Sequence, residues 1–137
     1  MASYKIEEIE GIGPAYAAKL QQAGLKTVND LLKKGAAAKG RKEIAAATGI
    51  DQKMILKWVN MADLFRVKGI GQEYSELLEK AGVDTVKELR NRNAQNLYAK
   101  MAEVNSAGRA LVRQLPGQKS VEKWVEQAKK MDPKVTY

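Results

Sequence analysis

Apolar residues recur at helical spacing along most of the chain. Met54, Ile55, Trp58, Ala62 and Phe65 follow one another at steps of one, three and four, which puts them on one face of a helix with 3.6 residues per turn. Val121, Trp124, Val125, Ala128 and Met131 form a second such face. Asp51 predicts the N-cap of the first segment and Ser120 that of the second. Asp132-Pro133 predicts the stop, because proline lacks the N–H a helix needs and its ring crowds the preceding turn. No stretch alternates apolar and polar residues with β-branched enrichment, so the predicted fold class is all-α.

The pattern also repeats. Ile9-Glu10-Gly11-Ile12-Gly13 is echoed 58 positions later by Val67-Lys68-Gly69-Ile70-Gly71. At the same offset Tyr16/Tyr74, Leu20/Leu78, Ala23/Ala81, Gly24/Gly82, Thr27/Thr85, Val28/Val86 and Leu31/Leu89 are identical. In each copy Gly-Ile-Gly predicts a tight turn, followed in the first by Pro14 at a helix start, where its missing N–H costs nothing. That helix is expected to reach about Ala23, with Gly24 and Gly82 as left-handed C-terminal caps. Thr27-x-x-Asp30 and Thr85-x-x-Glu88 read as capping boxes that open the next helix. Lys57-Trp58-Val59 returns as Lys123-Trp124-Val125 at an offset of 66. The second copy therefore carries eight extra residues, placed around Asn105 to Gly117 and read as a surface excursion on the strength of Pro116-Gly117. The expected organisation is a first repeat over 1–66 and a second over 67–137, packed as one pseudo-symmetric helical domain, since no Ser/Gly/Pro-rich linker parts them.

Charge and composition narrow the function. Lysine and arginine number 24 against 16 acidic residues, a net charge of +8, which attracts polyanions without specifying a fold. There is no cysteine and no histidine, so thiol nucleophiles, imidazole proton transfer and the usual zinc sites are excluded. The carboxylates are mostly interleaved with lysines on polar helix faces, and no catalytic pair stands out. The reading is a non-enzymatic protein without cofactor or metal. The N-terminus lacks an apolar run of signal-peptide length and no stretch approaches a membrane span, so a cytoplasmic location is expected and no membrane partner.

Ile-x-Gly-Ile-Gly, a helix, then Ala-Gly-hydrophobic-x-Thr resembles the helix-hairpin-helix motif of DNA-binding proteins that do not read sequence. Over nearly the whole chain, Leu89, Arg92-Asn93, Val104-Asn105, Leu115-Pro116 and Trp124 are similar to a bacterial domain family of unknown function built from such units. The resemblance implies that glycines let the backbone approach a phosphate, while amides and the dipole at the following helix start attract its charge. The phosphate-facing positions it implies are Gly11, Ile12 and Gly13, and Gly69, Ile70 and Gly71, with the isoleucines packed inward.

The two copies depart from that motif differently. Where DNA-binding members often place Lys or Arg in the first turn of the following helix, this chain has Pro14 and Ala15, then Gln72 and Glu73. Glu73 would repel a phosphate, so the first turn is expected to be the phosphate site and the second a structural joint. The run from Lys33 to Lys42 holds five cations and no acid. It reads as a solvated basic loop whose Lys39, Arg41 and Lys42 are the first candidates for backbone contacts. Arg90 and Arg92 are its weaker counterpart. Tyr16, Tyr74, Trp58 and Trp124 are assigned to the core. The expected partner is duplex nucleic acid gripped by its backbone, and the alternative is a protein partner bound by the same scaffold.

Overall fold

The computed structural model describes residues 4–107 and 112–137, and these fold into eight α-helices and one short 3-10 turn, joined by one isolated bridge between Lys5 and Thr27. The all-α class is thereby found. Two structural units divide the chain, one of residues 1–63 with 134–137 and one of residues 64–133.

In the first unit the 3-10 turn Ile6–Glu8 leads through Gly11-Ile12-Gly13 into α1, Pro14–Gln22, with Pro14 at its start. α2 is Val28–Gly35, α3 Ala38–Thr48 and α4 Gln52–Leu64. α1 ends in the pattern its glycine predicts: Gly24 has φ +88°, its N–H donates to Gln21 (3.0 Å), and the Leu25 N–H reaches back to Leu20 (2.9 Å). This satisfies carbonyls the helix end would otherwise leave open. Thr27 and Asp30 complete the predicted box, each accepting the other's backbone N–H. Ile6, Ile9, Leu20, Leu31, Ile44, Ile55 and Trp58 are buried in this unit.

The basic run is not a loop. Lys33 and Lys34 lie in the last turn of α2, and Lys39, Arg41 and Lys42 lie in α3, so the segment is a tight helical corner. Its glycines serve packing: a Cβ on Gly35 would strike Val59, and one on Gly40 would strike the Lys34 carbonyl. α4 differs from expectation too. Val59, Met61 and Leu64 are buried beside Trp58 and Ala62, as are Asn60 and Asp63, so its C-terminal half is covered all round instead of along one stripe.

The second unit contains α5, Gln72–Lys80, α6, Val86–Arg90, α7, Ala94–Ser106, and α8, Gln118–Lys129. Helix α8 packs against α6 and α7, and α5 against α7. Leu77, Leu78, Val86, Leu89, Leu97, Met101, Val121, Trp124 and Val125 form its core. The C-terminal stop of α5 repeats that of α1, with Gly82 at φ +94° and Val83 N–H on Leu78 (2.8 Å).

Two expectations fail here. Gly117 caps α8 and Ser120 lies inside its first turn, its N–H bonded to the Gly117 carbonyl. The extra eight residues do fall between α7 and α8, which are eleven residues apart where α3 and α4 are three apart. Asn105, however, belongs to α7, and Val112 and Pro116 are buried, so the stretch is tied to the core at these residues while Arg113, Gln114 and Gly117 are exposed. The Asn105 carboxamide accepts from and donates to the Val112 backbone, at 3.1 and 3.3 Å. Residues 108–111 of that stretch lie outside the described residues, as do residues 1–3.

Candidate nucleic-acid interface

Each glycine turn is built on a tryptophan. In the first, the Ile12 N–H donates to the Ile9 carbonyl (3.1 Å) and Gly11 takes φ +94°, a region in which L side chains are strained. A Cβ on Gly11 would also stand 3.3 Å from Trp58 Nε1. Tyr16, one turn into α1, meets the Trp58 ring edge-on with centroids 5.2 Å apart. Ile12 is buried as expected, while Gly11 and Gly13 are exposed.

The second turn repeats these contacts. Ile70 N–H donates to Val67 (3.1 Å) and Gly69 has φ +99°. The space above Gly69 is tighter, since a Cβ there would lie 2.9 Å from Trp124 Nε1. Tyr74 packs on Trp124 at 5.3 Å and its hydroxyl donates to the Gln114 carbonyl (3.2 Å). The four aromatic rings assigned to the core are thus used for packing, and the tryptophans form the floor of the turns.

Gly13 and Gly71 are different in kind from Gly11 and Gly69. They are the N-caps of α1 and α5, with extended backbones at φ −83° and −119° that any residue adopts. A Cβ at either position would meet nothing within 4 Å. Neither brings a capping side chain to the first-turn amides, so those amides are approached over bare backbone. Replacing either glycine therefore brings no backbone strain.

The surroundings of the two turns differ. Lys68, before Gly69, is clamped by Gln127 of α8: the carboxamide oxygen accepts its N–H (3.0 Å) and the carboxamide nitrogen donates to its carbonyl (3.2 Å). At the offset of the tryptophans, the first unit has Met61, which is buried and has no amide to offer. Glu73 is exposed in the first turn of α5, as Ala15 is in α1.

Of the basic candidates, Lys39 and Lys42 are exposed and Arg41 is not. Arg41 is 6 % exposed, and it donates to the carbonyls of Gly35 (2.8 Å), Ala36 (3.0 Å) and Thr136 (2.6 Å). Burial pulls its guanidinium below the ordinary arginine value, with Tyr137, whose ring lies 5.9 Å away, acting in the opposite direction. The expectation that Arg41 is a solvated cation is therefore corrected: its guanidinium joins the end of α2 to the C-terminal segment. Lys34 is also engaged, with Glu43 at 2.6 Å. In the second unit Arg92 donates to the Gly82 carbonyl (2.8 Å). Sequence alone offered no sign of the Gln127 clamp or the Thr136 contact, since both join positions far apart in the chain.

Among the described residues no helix is long and apolar enough to cross a membrane. No curated protein and no solved structure matches the chain. A family model, described as a domain of unknown function (DUF4332), matches residues 10–131, and the chain, with both glycine turns inside the matched span, belongs to that family.

Proposed function

We propose that the chain is a non-enzymatic, cytoplasmic protein that binds the backbone of duplex DNA without reading its sequence, using its glycine turns as helix-hairpin-helix units. The observation that carries this reading is the bare approach at Gly13. Neither backbone conformation nor packing calls for glycine there, whereas a phosphate seated on the first-turn amides does, because any side chain stands in its path. A net charge of +8 supports the partner class, and exposed Lys39 and Lys42 supply further cations in the same unit. The alternative, a protein-binding module, calls for an exposed apolar patch. Among the described residues the large exposed hydrophobics are Tyr4 and Tyr137 alone, which favours the nucleic-acid reading.

The first turn is the phosphate site on this reading. Gly71 offers the same bare cap, but Glu73 brings a carboxylate to the same helix start, and charge of that sign repels phosphate. Retardation of duplex DNA over a salt series tests the proposal. Affinity is expected to fall with a logarithmic slope of about −0.9 per phosphate neutralised. Ala15→Glu is expected to depress binding, and Glu73→Ala to leave it unchanged or raise it modestly. The double variant Lys39→Gln/Lys42→Gln should weaken binding in a chain that remains folded. A flat salt response, or no complex at low salt, overturns the proposal.

A further inference from the structure

Arg41 is aimed at two things of different origin. Its Nη1 donates to Gly35 and Ala36, the carbonyls at the end of α2, where the negative end of the helix dipole favours a cation. Those bonds fix the guanidinium on its own corner. Its Nη2 points to a segment nearly a hundred residues away in sequence, donating to the Thr136 carbonyl at 2.6 Å. That segment is seated by further contacts: the Thr136 N–H and hydroxyl both donate to the Ala36 carbonyl (2.7 and 3.5 Å), Val135 is 9 % exposed, and the Tyr137 ring lies beside the guanidinium at 5.9 Å. The seat lies on the corner that presents exposed Lys33, Lys39 and Lys42.

We infer that residues 135–137 are a displaceable latch over a masked arginine, and that a phosphate of the proposed nucleic-acid ligand takes the place of the Thr136 carbonyl on Arg41. The inference rests on the function proposed above and adds its regulation. A phosphate oxygen accepts from guanidinium as a carbonyl does, and its charge makes it the stronger acceptor. The latch meets Arg41 through the neutral Thr136 carbonyl and the Tyr137 ring, and it is a three-residue segment with one small buried side chain, the scale on which segments open locally without unfolding the rest. With the latch seated the corner shows Lys33, Lys39 and Lys42, besides Lys34 in its pair with Glu43. With it released, a further cation joins them, already oriented by α2.

The test uses the double variant Val135→Ser/Thr136→Pro, which removes the buried methyls and the N–H while leaving Arg41 in place. Tyr137→Ala is the milder companion should the double variant melt early. Two readouts are compared with the parent chain: modification of Arg41 by phenylglyoxal, followed by peptide mass, and duplex affinity over a salt series. Release is expected to speed Arg41 modification, to tighten duplex binding by roughly tenfold, the size of one charge-assisted hydrogen bond, and to steepen the salt slope by about 0.9. Equal modification rates in variant and parent overturn the latch whatever happens with DNA. Faster modification with unchanged affinity and slope, in a parent that does bind duplex, overturns the masking role. If neither chain binds duplex at low salt, the function proposed above and the masking role both fall, and the reagent alone reports whether the latch opens.

Discussion

The turn at Gly11 and the turn at Gly69 share a floor but are fastened differently. Both put a positive-φ glycine against a tryptophan indole and lean a tyrosine on the same ring. Behind Gly11 the chain arrives from a three-residue 3-10 turn, whereas behind Gly69 it arrives from the thirteen-residue α4. Lys68 is gripped on both its N–H and its carbonyl by Gln127, and the corresponding residue of the first unit is Met61. Tyr74 is tied to Gln114 in the extra segment, while the Tyr16 hydroxyl donates to the Met54 sulfur, at 3.9 Å. The turn itself is thus set by one positive-φ glycine and a tryptophan distant in sequence. How firmly it is held, and what charge stands before it, are set by residues outside the repeated motif.

The sharpest way to break the shared floor is to fill it. Gly69→Ala is expected to cost about 2–4 kcal/mol, combining positive-φ strain with displacement of a buried indole. Gly11→Ala is expected to cost less, about 1–2 kcal/mol, because its Cβ would stand 3.3 Å from the indole nitrogen where that of Gly69 would stand 2.9 Å away. Gly13→Ala and Gly71→Ala should stay within about 0.5 kcal/mol of the parent, the lost N-cap preference offsetting the stiffer unfolded chain. Urea unfolding orders the four. If Gly69→Ala were no worse than Gly71→Ala, the tryptophan floor would not be what fixes the turn.

Arg41 separates the two units next. At the offset of 58 the second unit has Ala99, so the three-carbonyl anchor belongs to the first unit alone. Arg41→Gln is expected to lose about 2–3 kcal/mol, since charged hydrogen bonds are removed and buried carbonyls left without their donor. Lys39→Gln and Lys42→Gln should each change stability by less than about 0.5 kcal/mol. Three equal unfolding midpoints would contradict the anchoring role and return Arg41 to the solvated cations.

What the sequence made legible follows the range of each interaction. The caps at Gly24 and Gly82, the box at Thr27 and the inward isoleucines rest on neighbours within a few positions, and pattern reasoning reached them. Ser120 fails as the cap because α8 begins three residues earlier, on the bare backbone of Gly117, which carries no side chain to mark it. The basic corner reads as a loop from its run of five cations without an acid, and nothing in that run shows what Gly35 and Gly40 pack against. Only the helices beside them show that each glycine admits another backbone or side chain at close range. Arg41, Gln127 and Val112 were out of reach for a common reason: each is defined by a partner distant in sequence or by a chain segment that returns to the core, and composition carries no trace of such closures.

Gln127→Ala sharpens the difference in fastening. It removes both partners of the Lys68 backbone at once, with an expected loss of about 1–2 kcal/mol. Hydrogen exchange gives the more direct reading. The Lys68 amide should exchange faster in the variant, while the Ile70 amide, bonded to Val67 within the turn, keeps its protection. Loss of protection at both would mean that the clamp builds the turn instead of fastening it.

The smallest expected effect lies at the entry to the helix that follows each hairpin, where the two units carry opposite charge. Asp30 accepts the N–H of Lys26 and of Thr27, both at 3.1 Å. The Lys26 backbone bond, with the Thr27 bonds and the lysine charge, holds its carboxyl below the ordinary value. At the same places the second unit has Asp84 and Glu88. There Thr85 accepts the Glu88 N–H at 3.3 Å, and the Glu88 carboxylate faces Arg92 at 3.7 Å. Burial first, and the Glu88 charge second, push the Asp84 carboxyl above its ordinary value of 3.8. A carboxyl raised in the folded chain holds its proton more tightly folded than unfolded. Its contribution is therefore present in acid and lost as pH rises through the raised value, so ionised Asp84 works against folding at neutral pH. Asp84→Asn should raise the urea midpoint at about pH 7, and the gain should vanish near pH 3. Asp30→Asn should do the reverse at neutral pH, because a lowered carboxyl contributes stability above its unfolded value and loses it as pH falls through the folded one. Both shifts should be modest, since solvent screens groups that are only partly covered. Midpoints that moved the same way in the two variants at neutral pH would show that the charge before the threonine cap is not what distinguishes these helix entries.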